Sequence, residues 1–361
     1  MSRTLLRLAA LYLCIHLLPG IAAARHIIGG DITYICLGES SPGVNRYRFT
    51  MTIYRDCLGG GAPFDSPAEM AIFKGTYQSN EMIETFQVSI QDIIDLTPET
   101  PQCVVNVPMV CVEKGTYIFE RELPVDDVDS YFVVYQRCCR NNTINNIIDP
   151  GSVGATYYAE LTPAAQKACN NSPVYTNFPP IIICAGYPLN FDHSATDADG
   201  DLLLYSFFAP LAGGGPILTF PGVNSCNGAI PTPPCNPPFD EVVFTAPTYK
   251  PDNPMGGNPQ VTINGITGLI TGTPTIQGQF VVGIKVEEYR NGVLLSVLRR
   301  EFQFNVTDCT PTLYAEIKSD SVAGPKSYVV QSCGDFTVDF INQSKPRTNV
   351  ETQEWEFDLK N

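Results

Sequence analysis

Asp197, Asp199 and Asp201 place three carboxylates within five residues, and Asp192 lies just before them. Acids alternating at the start of a strand can aim hard oxygens at one cation. Ca2+ takes about six to eight such ligands at roughly 2.3–2.6 Å. The candidate metal ligands are therefore Asp192, Asp197, Asp199 and Asp201, and the cation expected is Ca2+. The spacing is not that of the EF-hand loop, which runs for about twelve residues and ends in Glu. A second reading stays open. The same acids suit a turn around Gly200 whose side chains accept from nearby backbone N–H groups. His193 stands beside the motif, but hard calcium prefers oxygen. It reads as a surface residue and not as a ligand.

Other chemistries find less support. Glycoside hydrolysis needs two carboxylates across a cleft. Asp126-Asp127, Asp129 and Glu287-Glu288 offer pairs, yet such pairs are common on solvated faces. The chain has three His, and neither His26 nor His193 has a G-x-S-x-G partner for a Ser-His-Asp triad. Sugar stacking on exposed aromatics is conceivable with 17 Tyr and 19 Phe. Most of these fall at alternating strand positions, where they should be core. Net charge is −15 with no Lys/Arg cluster, which argues against nucleic acid as a partner.

The residues that must position the acids read as strands. Tyr47, Phe49, Met51 and Ile53 alternate with Arg48, Thr50, Thr52 and Tyr54, the period of two of a half-buried strand. Tyr131 to Tyr135 is a dense β-branched and aromatic run, expected as a central strand. Phe280, Val282, Ile284 and Val286 alternate likewise. Asn291-Gly292 then marks a tight hairpin, because a type I′ turn needs positive φ at both central positions. Val293 to Val297 returns as the partner strand, and Phe302, Phe304 and Val306 alternate after it. Helix signals are scarce. Thr162-Pro163 followed by Ala164, Ala165 and Ala168 predicts one short helix with a Thr cap. The fold class expected is all-β, with tandem Ig-like or cadherin-like sandwiches stapled by disulfides.

At 361 residues the chain should hold two or three domains. Arg3 and Arg7, the apolar run Leu8 to Ile21 and Ala22-Ala23-Ala24 form a signal-peptide pattern over residues 1–24. Export is therefore expected, to a secreted or outer-surface location, with no membrane span remaining after cleavage. The regions that follow are a cysteine-rich β domain over 25–178, a sandwich over 179–308 and an incomplete domain over 309–361. Twelve Cys lie beyond the signal segment. An even count in an exported chain reads as disulfides, and the absence of C-x-x-C argues against zinc and redox catalysis. Cys226 and Cys235 should close one loop, and Cys309 and Cys333 should staple the last region. Adjacent Cys138 and Cys139 are expected to bond elsewhere and not to each other. The Pro- and Gly-rich stretch Gly213–Gln260 should be mostly extended surface loop with a short strand near Glu241 to Phe244. As a long loop on a rigid scaffold it is the expected contact surface.

Two regions resemble known families. Asp197-Ala198-Asp199-Gly200-Asp201 with Leu204-Tyr205-Ser206 comes first. Ile266-Thr267-Gly268-Leu269-Ile270-Thr271-Gly272-Thr273-Pro274 and Gly278-Gln279-Phe280 follow it in order. Together they look like the cadherin-like and Ig-like modules of bacterial surface proteins. The resemblance implies calcium, with Glu287 or Glu288 as a remote ligand. Phe336 to Phe340, Asn342, Ser344 and Trp355-Glu356-Phe357-Asp358 are similar to the first part of a PKD domain. The Gly-Asp-Gly of that pattern is replaced by Asp358-Leu359-Lys360, and the later strands are missing. Gly29-Gly30-Asp31, Tyr54-Arg55-Asp56-Cys57 and Tyr135 to Asn142 look like the N-terminal region of PKD-containing surface proteins of Bacteroidetes type. Those are linked to gliding motility and type IX secretion. The implied role is an adhesion or scaffold protein and not an enzyme, with a surface protein or polysaccharide as partner. The competing reading is a carbohydrate-binding module of an extracellular polysaccharide-capture system.

Overall fold

The computed structural model describes residues 27–58, 62–96, 104–105, 110–216 and 226–308, with short pieces between 310 and 356. The expected signal segment and the Cys309–Cys333 staple lie outside the described residues. In chain order the first strands are β1 (Ile27–Ser41), β2 (Val44–Asp56), β3 (Ala68–Gly75), β4 (Asn80–Val88), β5 (Asp92–Leu96) and β6 (Val104–Val105). β7 (Val112–Pro124), β8 (Ser130–Arg137), β9 (Ala155–Leu161) and the helix α1 (Pro163–Ala168) follow. Then come β10 (Val174–Tyr175), β11 (Ile182–Cys184), β12 (Leu189–Asp192), β13 (Ala195–Thr196) and β14 (Leu202–Phe208). β15 (Thr262–Ile263), β16 (Leu269–Gly272), β17 (Gly278–Arg290) and β18 (Val293–Thr307) complete the set needed here.

The architecture is all-β. One large sheet runs β14-β17-β18-β1-β2-β7-β5, with β11 added parallel to β18. A four-stranded sheet, β4-β3-β8-β9, packs on its first half. Between them lie Tyr47, Phe49, Met51 and Ile53 from β2, with Met70, Ile72, Val133 and Leu161 opposite. A three-stranded sheet, β12-β16-β15, helps cover the second half. There Phe280, Val282, Ile284, Phe302 and Phe304 form a second core. Ile53 and Tyr54 are successive on β2 and join different cores. Successive strand residues point to opposite faces, so the two cores lie on opposite faces of the shared sheet.

The divide expected at 178/179 separates neither the sheets nor, strictly, the cores: Ile28, Tyr54 and Val112 belong to the second core. β1 pairs antiparallel with β18, Gly29 opposite Phe302 and Gly30 opposite Glu301. Glycine is needed at that seam, because a Cβ on Gly29 would run into the Glu301 carbonyl oxygen. Two buried ion pairs straddle the seam. Arg140 holds Glu301 with two 2.8 Å bonds and also donates to the Gly154 and Leu211 carbonyls. Tyr157 donates a third bond to Glu301 at 2.7 Å. Arg300 holds Asp31 at 2.7 Å and lies 4.0 Å from the Tyr175 ring centre.

Local expectations are met at several points. The β17–β18 hairpin turns at Asn291 (φ 52) and Gly292 (φ 79). α1 starts at Pro163, with the Thr162 side chain accepting from Ala165 N–H. Cys226 and Cys235 are bonded, as are Cys36–Cys169 and Cys57–Cys111.

Two expectations are corrected, and a third is extended. Cys138 and Cys139 are bonded to each other across a cis peptide, with Cα atoms 3.0 Å apart. The contrary expectation assumed a trans peptide, which sends successive side chains apart. His193 is not a surface residue: it is 0% exposed, packed between the rings of Tyr175 and Phe191. The stretch after Gly213 is irregular, and just over half of its described residues are exposed, as expected, but it also sends side chains inward. Phe239, Val242, Phe244 and Met255 are buried or packed into cores. The outer face of β3-β8-β9 carries Ala71, Phe73, Phe132, Val134 and Tyr158, which need an apolar cover. β8 is therefore buried on both faces, as its unbroken apolar run implies.

Candidate metal centre

The acidic motif occupies the connection between β13 and β14, at the rim of the large sheet. Asp197, Asp199 and Asp201 converge there with Glu288 from β17. One oxygen of each lies within 4.8 Å of the others. Two ligands of one Ca2+ ion can be no more than about 5 Å apart, twice the metal–oxygen distance, so the four carboxylates could hold a metal ion. Asp192 is not brought in: its carboxylate accepts from Ser194 N–H at 3.0 Å. Glu287 points away and pairs with Lys285 at 2.8 Å. Of the two glutamates that sequence left open, Glu288 is the one at the site.

The turn reading is also partly realised. Asp197 Oδ2 accepts from Asp201 N–H at 2.7 Å, closing the loop around Gly200. Asp197 Oδ1, however, is buried and has no hydrogen-bond partner. Buried carboxylate oxygens are expensive to leave unpaired. This orphan oxygen, within a group of hard donors, fits a cation better than it fits a finished turn.

Asn170, Asn171, Arg290 and Ser296 also line the site, and no motif announced them. Cys169 caps α1 and is bonded to Cys36 of β1. The next residues are sewn to β1: Asn171 accepts from Cys36 N–H at 2.9 Å, and Ser172 accepts from Tyr34 N–H at 2.8 Å. Asn171 then donates its backbone and side-chain N–H to Asp199 at 2.9 and 3.0 Å. Asn170 donates to both oxygens of Glu288 at 2.8 and 3.0 Å. Ser296, across the β17–β18 pair, donates a short bond to the same carboxyl. Asn170 and Asn171 sit far from the acids in sequence, and only the disulfide and the strand pairing bring them together. Ser296 was hidden too: the register set at Asn291-Gly292 would put Leu295 opposite Glu288, and a register shift between Glu288 and Tyr289 makes Ser296 the partner.

Electrostatics divide the cluster. Arg290 grips Asp201 with bonds of 2.6 and 2.8 Å and reaches Asp199 at 3.4 Å. That hydrogen-bonded guanidinium is the main reason the Asp201 carboxyl lies below its usual range. Glu288 is 0% exposed. Burial is the main reason its carboxyl is pushed up to about 8, with the Asp201 and Asp197 carboxylates adding to the effect. Three aspartates stand against one arginine, and burial together with this excess of negative charge favours the protonated form of Glu288.

No protein-family model, curated protein or solved structure matches this chain. The site is therefore judged on its own chemistry.

Proposed function

We propose that this protein is an exported, disulfide-stapled scaffold or adhesion protein whose large sheet is stiffened by Ca2+ at the Asp197–Asp199–Asp201–Glu288 cluster. The observation that carries the reading is that cluster, four carboxylates with one buried oxygen lacking a partner. A divalent ion there would tie the β13–β14 turn to β17, and through Asn170 and Asn171 to β1. Carboxylate oxygens suit Ca2+ or Mg2+; irregular spacing and partial burial favour the larger, more tolerant ion. The role would be passive, holding the sheets rigid while surfaces elsewhere meet a partner protein or polysaccharide. Asp126, one of the acids that could have suggested glycosidase chemistry, fits this non-enzymatic reading. Asp126 is engaged by Lys74 at 2.8 Å and by the N–H groups of Val128 and Asp129. Its carboxyl is held well below the usual range, first by Lys74.

The test is a thermal melt of the chain without residues 1–24, in excess EDTA and then in millimolar CaCl2 or MgCl2. A ligand at one hundred times its dissociation constant stabilises by about 2.7 kcal/mol. In a chain of this size that raises Tm by roughly 2–4 °C. The rise should be larger for Ca2+ than for Mg2+ and should vanish in Asp199→Ala. An unchanged Tm in both salts removes the metal from the account.

A further inference from the structure

The large sheet ends in β5, which pairs with β7 on one side and with no described strand on the other. All but the last of its residues are exposed. Its two central side chains are Ile93 and Ile94, which are 51% and 44% exposed. Neighbours along a strand face opposite ways, so this edge is bare and apolar on both faces. Asp92 and Asp95 flank the isoleucines, and neither makes an ion pair among the described residues. The nearest charges on β7 do not serve them: Lys114 stands opposite Ile94, and Glu113, opposite Asp95, is taken by Arg55. Just before β5 begins, the Gln91 side chain extends the ladder. It accepts from Ile118 N–H at 2.6 Å and donates to the Ile118 carbonyl at 3.2 Å. β7 is thus satisfied along this stretch, and among the described residues the unfilled pairing positions belong to β5.

An exposed apolar edge is a template for another strand. Its charges decide which one. Two copies of β5 paired antiparallel about Ile93 and Ile94 would set Asp92 against Asp95 twice. Paired parallel, they would set each aspartate against itself. Like charges directly opposite each other destabilise a pair, and the chain's net charge of −15 adds to the repulsion. We infer that β5 is a docking edge for an extended segment of another protein, one with two β-branched residues flanked by Lys or Arg. The acids bar self-pairing and select that partner, while main-chain bonds along the edge supply the attachment. The inference does not depend on calcium.

The probe is a labelled ten-residue peptide with Lys-Val-Val-Lys at its centre, titrated against the chain without residues 1–24. The control peptide carries Glu-Val-Val-Glu. The lysine peptide should bind about tenfold tighter or better, since two opposite-charge pairs replace two like-charge ones. Asp92→Lys combined with Asp95→Lys, both at exposed positions, should invert the preference. N-methylation of alternate peptide amides, in either phase, separates strand pairing from charge attraction. One phase should abolish binding and the other should leave it nearly intact. The inference fails if neither peptide binds, if the preference does not invert, or if both methylated peptides bind like the parent. It also fails if the free chain dimerises in sedimentation and the double variant does not, because the occupant is then a second copy.

Discussion

Two regions of the same sheet bury charge and handle it in opposite ways. At the seam between β1 and β18, Arg140 and Glu301 are matched one to one. Each guanidinium and carboxylate is further satisfied by Tyr157 or by backbone carbonyls. At the rim, Asp197, Asp199, Asp201 and Glu288 face a single Arg290, and one oxygen has no partner. The seam is electrically finished and can only hold. The rim is unfinished, and its balance responds to protons or cations. A buried charge is thus no sign of function by itself; the incomplete set is the informative one.

The contrast can be broken most directly at the seam. Glu301→Ala strands the Arg140 guanidinium in a dry site, so unfolding in urea should show a loss of about 3–5 kcal/mol. Replacing both partners together, Arg140→Met with Glu301→Leu, should cost much less. If the double change costs as much as the single one, the seam is not a self-contained pair.

At the rim the expected effect is a pH dependence. Glu288 has a folded-state pKa raised above its unfolded value, so its contribution is full below about 4.5, the ordinary glutamate value, and is lost as pH rises through about 8. In EDTA, stability should therefore fall across that window, and Glu288→Gln should flatten the fall. Saturating CaCl2 should flatten it too, by stabilising the ionised carboxylate. Denaturant midpoints measured every half unit of pH decide the matter, and a profile identical in wild type and variant would refute it.

The smallest effect sharpens the comparison. Asp199 is exposed, so in EDTA Asp199→Asn should change stability by less than about 1 kcal/mol. The same change should cost most of the calcium-dependent Tm increment. A large loss in EDTA would make Asp199 structural, like the acids of the seam.

Much of this was legible in the sequence. Period-two runs gave β2, β17 and β18, Asn291-Gly292 gave the hairpin, and Thr162-Pro163 gave the helix start. The acid triplet gave three of the four clustered carboxylates. The rest depended on contacts between distant residues. His193 reads as polar when taken alone, but Tyr175 comes to it from β10 and closes it in against Phe191, two residues before it. Asp192 differs from its neighbours only in being turned towards Ser194 N–H. Asn170 and Asn171 have no meaning in sequence until Cys169 is joined to Cys36. The Pro-rich stretch reads as loop because proline cannot serve a ladder, and nothing in it says that β3, β8 and β9 need its cover.

The junction of β1 with β18 also sets an order of events during synthesis. The Arg300–Asp31 bond joins residues 269 positions apart. β1 can zip to β2 as soon as the hairpin between them emerges, but its other edge must wait for almost the whole described chain. Pairings so distant close late and slowly. Until then β1 presents an open flank, guarded only by Gly29, Gly30 and the unpaired carboxylate of Asp31. A chain halted before β18 would keep that flank, and strand-swapped dimers should be the characteristic product of its misassembly.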